Sequence, residues 1–169
     1  MLVAHLLQQL DREVPRARRV LEQLPDGKGD WKPHQKSMNL EYLAHLVAVM
    51  PTWIALQVTR NELDLAPKDG SSSIKYEKKA TSAEFVRALD DAAAQARKAL
   101  EGAGEDALHK IWQLKVSGQV VQEGTRANMI QDTLSHWSHH RGQLTVYLRL
   151  LERKVPGIFG PSADEKTFA

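Results

Sequence analysis

No cysteine occurs among the 169 residues. That excludes disulfides, thiolate zinc sites and iron–sulfur ligation. The absence fits a reducing compartment, and a cytoplasmic protein is expected. A charge excess is missing too, with Lys and Arg totalling 23 against 21 for Asp and Glu. The short basic clusters PRARR (Pro15–Arg19) and KYEKK (Lys75–Lys79) read as solvated helix faces, and nucleic-acid binding is not expected. No stretch approaches the length of a membrane-spanning apolar run, so no transmembrane helix is expected. The first residues lack the basic start, apolar run and cleavage site of a secretory signal. The length suits a single domain over residues 1–169 with a core that needs no staple.

What is present is helical periodicity. Leu6, Leu10, Val14, Ala17, Leu21 and Leu24 predict a first helix from about Val3 to Leu24. Pro15 marks a kink or a restart in it. Ser37 is the expected cap of a second helix that reaches at least Leu56 and bends at Pro51. On this helix Met38, Tyr42, His45, Val49, Trp53 and Leu56 share one face. Thr81 and Glu84 form a capping box that opens a third helix to about Leu100. The last helix is expected from near Thr125 to about Arg153.

Between the helices lie three connections. Trp31, in the loop Pro25–Ser37, plugs a core edge or lines a pocket. The long stretch Asp64–Ala80 is a lid or an ordered crossing. In Leu108–Gly124 the residues Ile111, Leu114, Val116, Val120 and Val121 flank a Ser-Gly pair and predict a short β-hairpin. Two short strands cannot carry a fold alone, so the hairpin is an appendage. The expected sum is an all-α four-helix bundle, with the hairpin before the last helix.

The segment LSHWSHHRGQ (Leu134–Gln143) holds three histidines in five residues. At about 100° per residue, His140 lies about 40° from His136 on the helical wheel. Met129, Tyr147 and Leu151 fall in the same sector, so the pair borders a buried stripe while His139 turns away. Imidazoles at i and i+4 converge on one ion in the helical His-Glu-x-x-His motif. The glutamate is absent here, so only the spacing carries over.

Two ligands rarely suffice, and His45, facing the core from another helix, is the best third. A divalent ion held this way would keep a position open for water or substrate. Glu41 and Asp132, each one turn upstream of a proposed ligand, are candidates for holding a ring or moving a proton. The same histidines also read as a general-base site, or as hydrogen-bonded polar residues of the core. His5, His34, His109 and His139 read as surface or loop. Arg141 contacts a ligand or makes a helix–helix salt bridge. Gly142 costs about 1 kcal/mol of helix propensity against alanine, which close packing would explain.

Three stretches together carry a resemblance: WKPHQKSMNLEYLAHL (Trp31–Leu46), SHWSHHRGQLTVYLR (Ser135–Arg149) and VPGIFGPSADE (Val155–Glu165). IWQLKVSGQVV adds a weaker match between them. The chain resembles the DinB-like (DinB/YfiT-like) superfamily, whose members are taken to be metal-dependent enzymes. HHRGQL followed by the VPG..GPSADE tail is the more specific part. The resemblance implies an up-down-down-up four-helix bundle and a divalent ion, nickel, zinc or iron, on three histidines. Those correspond to His45 of LAHL, His136 and His140.

It further implies a homodimer, and among relatives thiol S-transferase or thiol-dependent isomerase chemistry. The leading expectation is therefore metal-assisted transferase or hydrolase chemistry on a small molecule such as a low-molecular-weight thiol. The rival is a non-catalytic metal-binding or interaction protein of a stress response.

Overall fold

The computed structural model describes residues 1–71, 74 and 76–166. Among them helices dominate: α1 (Leu2–Leu21), α2 (Leu40–Thr59), α3 (Ser82–Glu101), the short α4 (Glu105–Leu108) and α5 (Arg126–Leu150). Strands β1 (Glu62–Asp64), β2 (Ile111–Val116) and β3 (Gln119–Thr125) form one three-stranded sheet. The expected bare hairpin thus gains a third strand, and α4 is an addition.

α1 buries Leu6, Leu10, Ala17, Val20 and Leu21 and runs through Pro15 without a restart. The carbonyl that Pro15 leaves unpaired belongs to exposed Asp11, where water can serve it. The arginines of PRARR are part-exposed and all three are paired. Arg16 pairs with Glu13 at 2.6 Å, Arg18 with Asp90, and Arg19 with Glu165 and the Gly157 carbonyl.

The cap of α2 lies two residues beyond the expected one. The Ser37 amide already closes a turn on the His34 carbonyl at 3.0 Å. Asn39 takes the capping role instead, its Oδ1 accepting the Tyr42 amide at 2.9 Å. The helix packs on α1, α3 and α5 and touches β1. Its length and apolar composition would suffice to cross a membrane, yet more than half of the span is buried inside the protein. A helix apolar on most sides is what the centre of a helical core requires.

Pro51 sits inside α2 and has no N–H to give the Val47 carbonyl one turn earlier. The indole Nε1–H of Trp137, on α5, donates to that carbonyl at 2.7 Å. A backbone acceptor freed by proline is thereby satisfied from the neighbouring helix, and Trp137 is fully buried.

α3 opens on the predicted box: Thr81 and Glu84 exchange side-chain and backbone bonds. It packs on α1 and α2 through Phe85, Leu89, Ala92, Ala96 and Leu100. α5 is capped by Thr125. Buried Arg141 pairs with Glu13 of α1, which settles its role as a helix–helix salt bridge. Trp31 packs edge-on against Tyr147 at 5.5 Å, sealing the loop before α2 onto the core. Beyond α5, Asp164 binds Arg149 at 2.6 Å and the Val155 amide at 2.8 Å, folding the tail back.

In the sheet, β1 pairs parallel with β2, Leu63 opposite Leu114, and β2 pairs antiparallel with β3. Ser117 and Gly118 both have positive φ (52° and 82°), as a two-residue hairpin turn with right-handed strand twist demands. Leu63, Trp112 and Met129 make a small second core between sheet and helices. β1 ends on Asp64, the first residue of the long connection, of which residues 72, 73 and 75 lie outside the described residues.

Close packing does not explain Gly142, because a Cβ built there meets nothing within 4 Å. Gly142→Ala is therefore expected to stabilise the protein by about 0.5–1 kcal/mol in denaturant unfolding. Trp137→Phe strands the Val47 carbonyl and should cost roughly 1–3 kcal/mol beyond the lost packing. Adding Pro51→Ala supplies an amide for that carbonyl, so the double variant should recover part of the loss. Strict additivity of the two changes in the same unfolding assay would refute this account.

Candidate metal centre

A cavity of about 500 Å³ lies between α2 and α5, roofed by the long connection. Met38, Tyr42, His45, Val49 and Trp53, the face predicted for the second helix, line one wall. His136 and His140 line the other, and Leu65, Ile74 and Tyr76 close the roof. One helix face with period 3.6 and one i, i+4 pair thus bring all three predicted histidines to one space.

The three rings sit differently. His140 is buried, and its Nδ1 lies 2.9 Å from Oε1 of Gln143. An amide oxygen only accepts, so Nδ1 carries the proton and Nε2 keeps its lone pair. His136 stands exposed on the rim, its ring centroid 4.4 Å from that of His140. His45 is buried and lies edge-on to Tyr76 at 4.8 Å. Among the described residues its Nδ1 is buried without a hydrogen-bond partner. A histidine kept only as a hydrogen-bonded core residue would not leave that nitrogen unpaired.

All three rings are held toward the neutral form. Burial pushes His45 down from 6.5 to about 4, helped by the Lys79 charge and opposed by Glu77. Burial lowers His136 as well, with His140 and His139 adding to the effect. His140 is lowered by burial, against the raising influence of its Gln143 bond. Neutral imidazole is the state that ligates a metal or accepts a proton.

Placement is not yet coordination. Among the described residues no three histidine, aspartate or glutamate side chains converge tightly enough to hold an ion. His136 and His140 form a close pair, while His45 rests on Tyr76. The donor set nevertheless suits a divalent transition ion, since imidazole serves zinc, nickel and iron alike. The unpaired Nδ1 and the Gln143-oriented ring fit a ligand set better than a finished core.

Neither predicted carboxylate bonds a ring. Glu41 is buried and accepts the Lys79 amide at 3.0 Å, anchoring the end of the long connection to α2. Asp132 is exposed, accepts from Gln122 at 3.1 Å, and borders a neighbouring cavity together with His136. His139 is exposed, His5 meets Gln9, His34 accepts an amide in its own loop, and His109 ends α4. Tyr76 was missed, because nothing in an irregular stretch announces contact with α2. Gln143 was missed too, although its i, i+3 spacing from His140 is the geometry of a ring holder.

The depressed His45 value gives a stability test with a definite sign. An unfolded chain protonates this ring near 6.5 while the folded chain resists until about 4. The stability tied to neutral His45 is therefore complete above 6.5 and is lost as pH falls toward 4. In chelator-treated protein, wild type should lose about 2 kcal/mol more than His45→Leu between about pH 7 and pH 5. Parallel stability curves for the two proteins would contradict the shift.

The DinB family model matches residues 1–167. A stretch of 46 residues is 37% identical to uncharacterized protein YrdA of Bacillus subtilis (strain 168), covering 27% of this chain and 28% of that protein. The fold is similar to that of a DinB-like protein from Bacillus cereus ATCC 10987, with a TM-score of 0.70 and 17% identity over 91% of this chain and 95% of the other. A DinB-like protein from Bacillus subtilis, YjoA, gives 0.69 and 16% over 90% and 96%. At those identities the likeness speaks for the fold, while the family match spans nearly every residue: the chain belongs to the DinB family.

Proposed function

We propose that this protein is a metal-dependent enzyme in which His45, His136 and His140 hold one divalent transition ion, nickel, zinc or iron. The observation that carries the reading is the single cavity lined by all three rings, each biased toward the neutral form. When bound, the ion would supply Lewis-acid activation of a small-molecule thiol or of water, for S-transfer or hydrolysis. The reading requires His45 to turn off Tyr76 and meet the pair. The four long helices then serve as the up-down-down-up bundle that the resemblance implies, and a cytoplasmic homodimer rests on that resemblance alone.

The chain's own residues divide the remaining work. Gln143 fixes the His140 tautomer, leaving Nε2 as the donor atom. Leu46, Val49, Met50 and Trp53 give the cavity an apolar wall that excludes water around a small organic body. Glu41 holds Lys79, and through it the roof, in place. Asp132 beside His136 is the carboxylate available for a proton. The edge-on contact of His45 with Tyr76 favours a second reading, a non-catalytic metal-binding or interaction protein in which the third ring never joins.

Metal analysis after anaerobic purification without a metal-binding tag tests the three-histidine ligand set. Wild type should carry a stoichiometric divalent ion that His45→Ala, His136→Ala and His140→Ala each lose. Gln143→Ala should weaken affinity by roughly 10- to 100-fold while keeping the fold. Native stoichiometry in all three alanine variants would remove the proposed site. A thiol panel assayed with and without the recovered ion separates the readings: turnover that needs the ion supports the enzyme, and none supports the second.

A further inference from the structure

A second cavity, of about 400 Å³, adjoins the first. Trp53, Leu65 and His136 line both, so His136 stands where the two meet. Its far wall is the sheet. Trp112 and Leu114 are two apart on β2 and share a face, and Gln122 of β3 pairs directly with Leu114. The Leu65 amide bonds the Lys115 carbonyl at 2.9 Å, which ties the shared roof residue to the same sheet.

Chemistry of the lining narrows the occupant. Buried Gln57 and Thr133 satisfy each other at 2.9 and 3.2 Å, and Gln57 also reaches the Met129 carbonyl at 3.2 Å. An apolar group entering here therefore strands neither of them. Asp132 is exposed at the rim, and among the described residues no lysine or arginine lines the cavity. Among the described residues its carboxylate has one protein donor, Gln122, and keeps acceptor capacity for another. The combination is an apolar slot with an anionic end.

We propose that this slot selects the substrate, taking an aryl or branched-alkyl group whose far end carries an ammonium or other hydrogen-bond donor toward Asp132. His136 stands one turn along α5 from Asp132 on the same rim; what reacts there rests on the metal-centre reading, whereas the slot itself does not. Leu114 sets the depth of the slot and Asp132 its charge preference.

Indole N–H signals of the four tryptophans in ¹⁵N-edited NMR give the test, on metal-free protein so that the outcome is independent of the metal analysis. Titration with 2-phenylethylamine should shift Trp112 and Trp53 and leave Trp137, whose indole is bound to Val47, in place. 3-Phenylpropionate, of similar shape and opposite charge, should bind roughly tenfold more weakly. Asp132→Asn should erase that preference. Leu114→Phe should weaken the amine about fivefold or more, with an unchanged Trp137 signal as the sign of an intact fold.

A Trp112 signal that never moves with the amine overturns the proposal. Equal response to the two probes, or a charge preference that survives Asp132→Asn, does the same. Should Leu114→Phe fail to fold, the exposed Asp132→Asn variant still decides.

Discussion

One hydrogen bond organises the interior. Pro51 cannot donate, the Val47 carbonyl is left without its helical partner, and the Trp137 indole completes it from α5. A buried carbonyl has to be paired, and only one height of α5 against α2 places this indole on it. Trp137 follows His136 directly, and His45 precedes Val47 by two residues. The bond that repairs the proline thus also levels the imidazoles of the two helices.

Around that bond, partial burial governs the histidines, even at His136 on the rim. Desolvation is the first cause of the lowered basicity of His45, His136 and His140. The charged neighbours act second: Lys79 strengthens the effect at His45 and Glu77 opposes it. Gln143 works against burial at His140 while fixing which nitrogen is free. An apolar wall, neutral imidazoles and one oriented lone pair are what the proposed ion would meet.

Much of this was legible in the residues. The T-S-A-E box, the apolar repeat of α1 and the shared face from Met38 to Trp53 all follow from local periodicity, which the fold preserves. The His136–His140 pair is visible for the same reason. β1 was not legible: three residues hold no period, and their partner strand comes about fifty residues later. Tyr76 touches His45 only because the roof folds over, a tertiary fact. Glu41 shows the same limit, since its place one turn from His45 suggested a ring contact and the Lys79 amide claimed the carboxylate. Gly142 looked like a packing requirement and faces open space.

Asp64 closes β1 and sends both carboxylate oxygens to the hairpin tip, 3.0 Å from the Ser117 amide and 2.6 Å from that of Gly118. The Ser117 hydroxyl returns a bond to the Ala66 carbonyl at 3.1 Å. Tip and roof are therefore riveted into one lever. Lengthening the turn by even a residue would drag Leu65 with it and reshape both chambers.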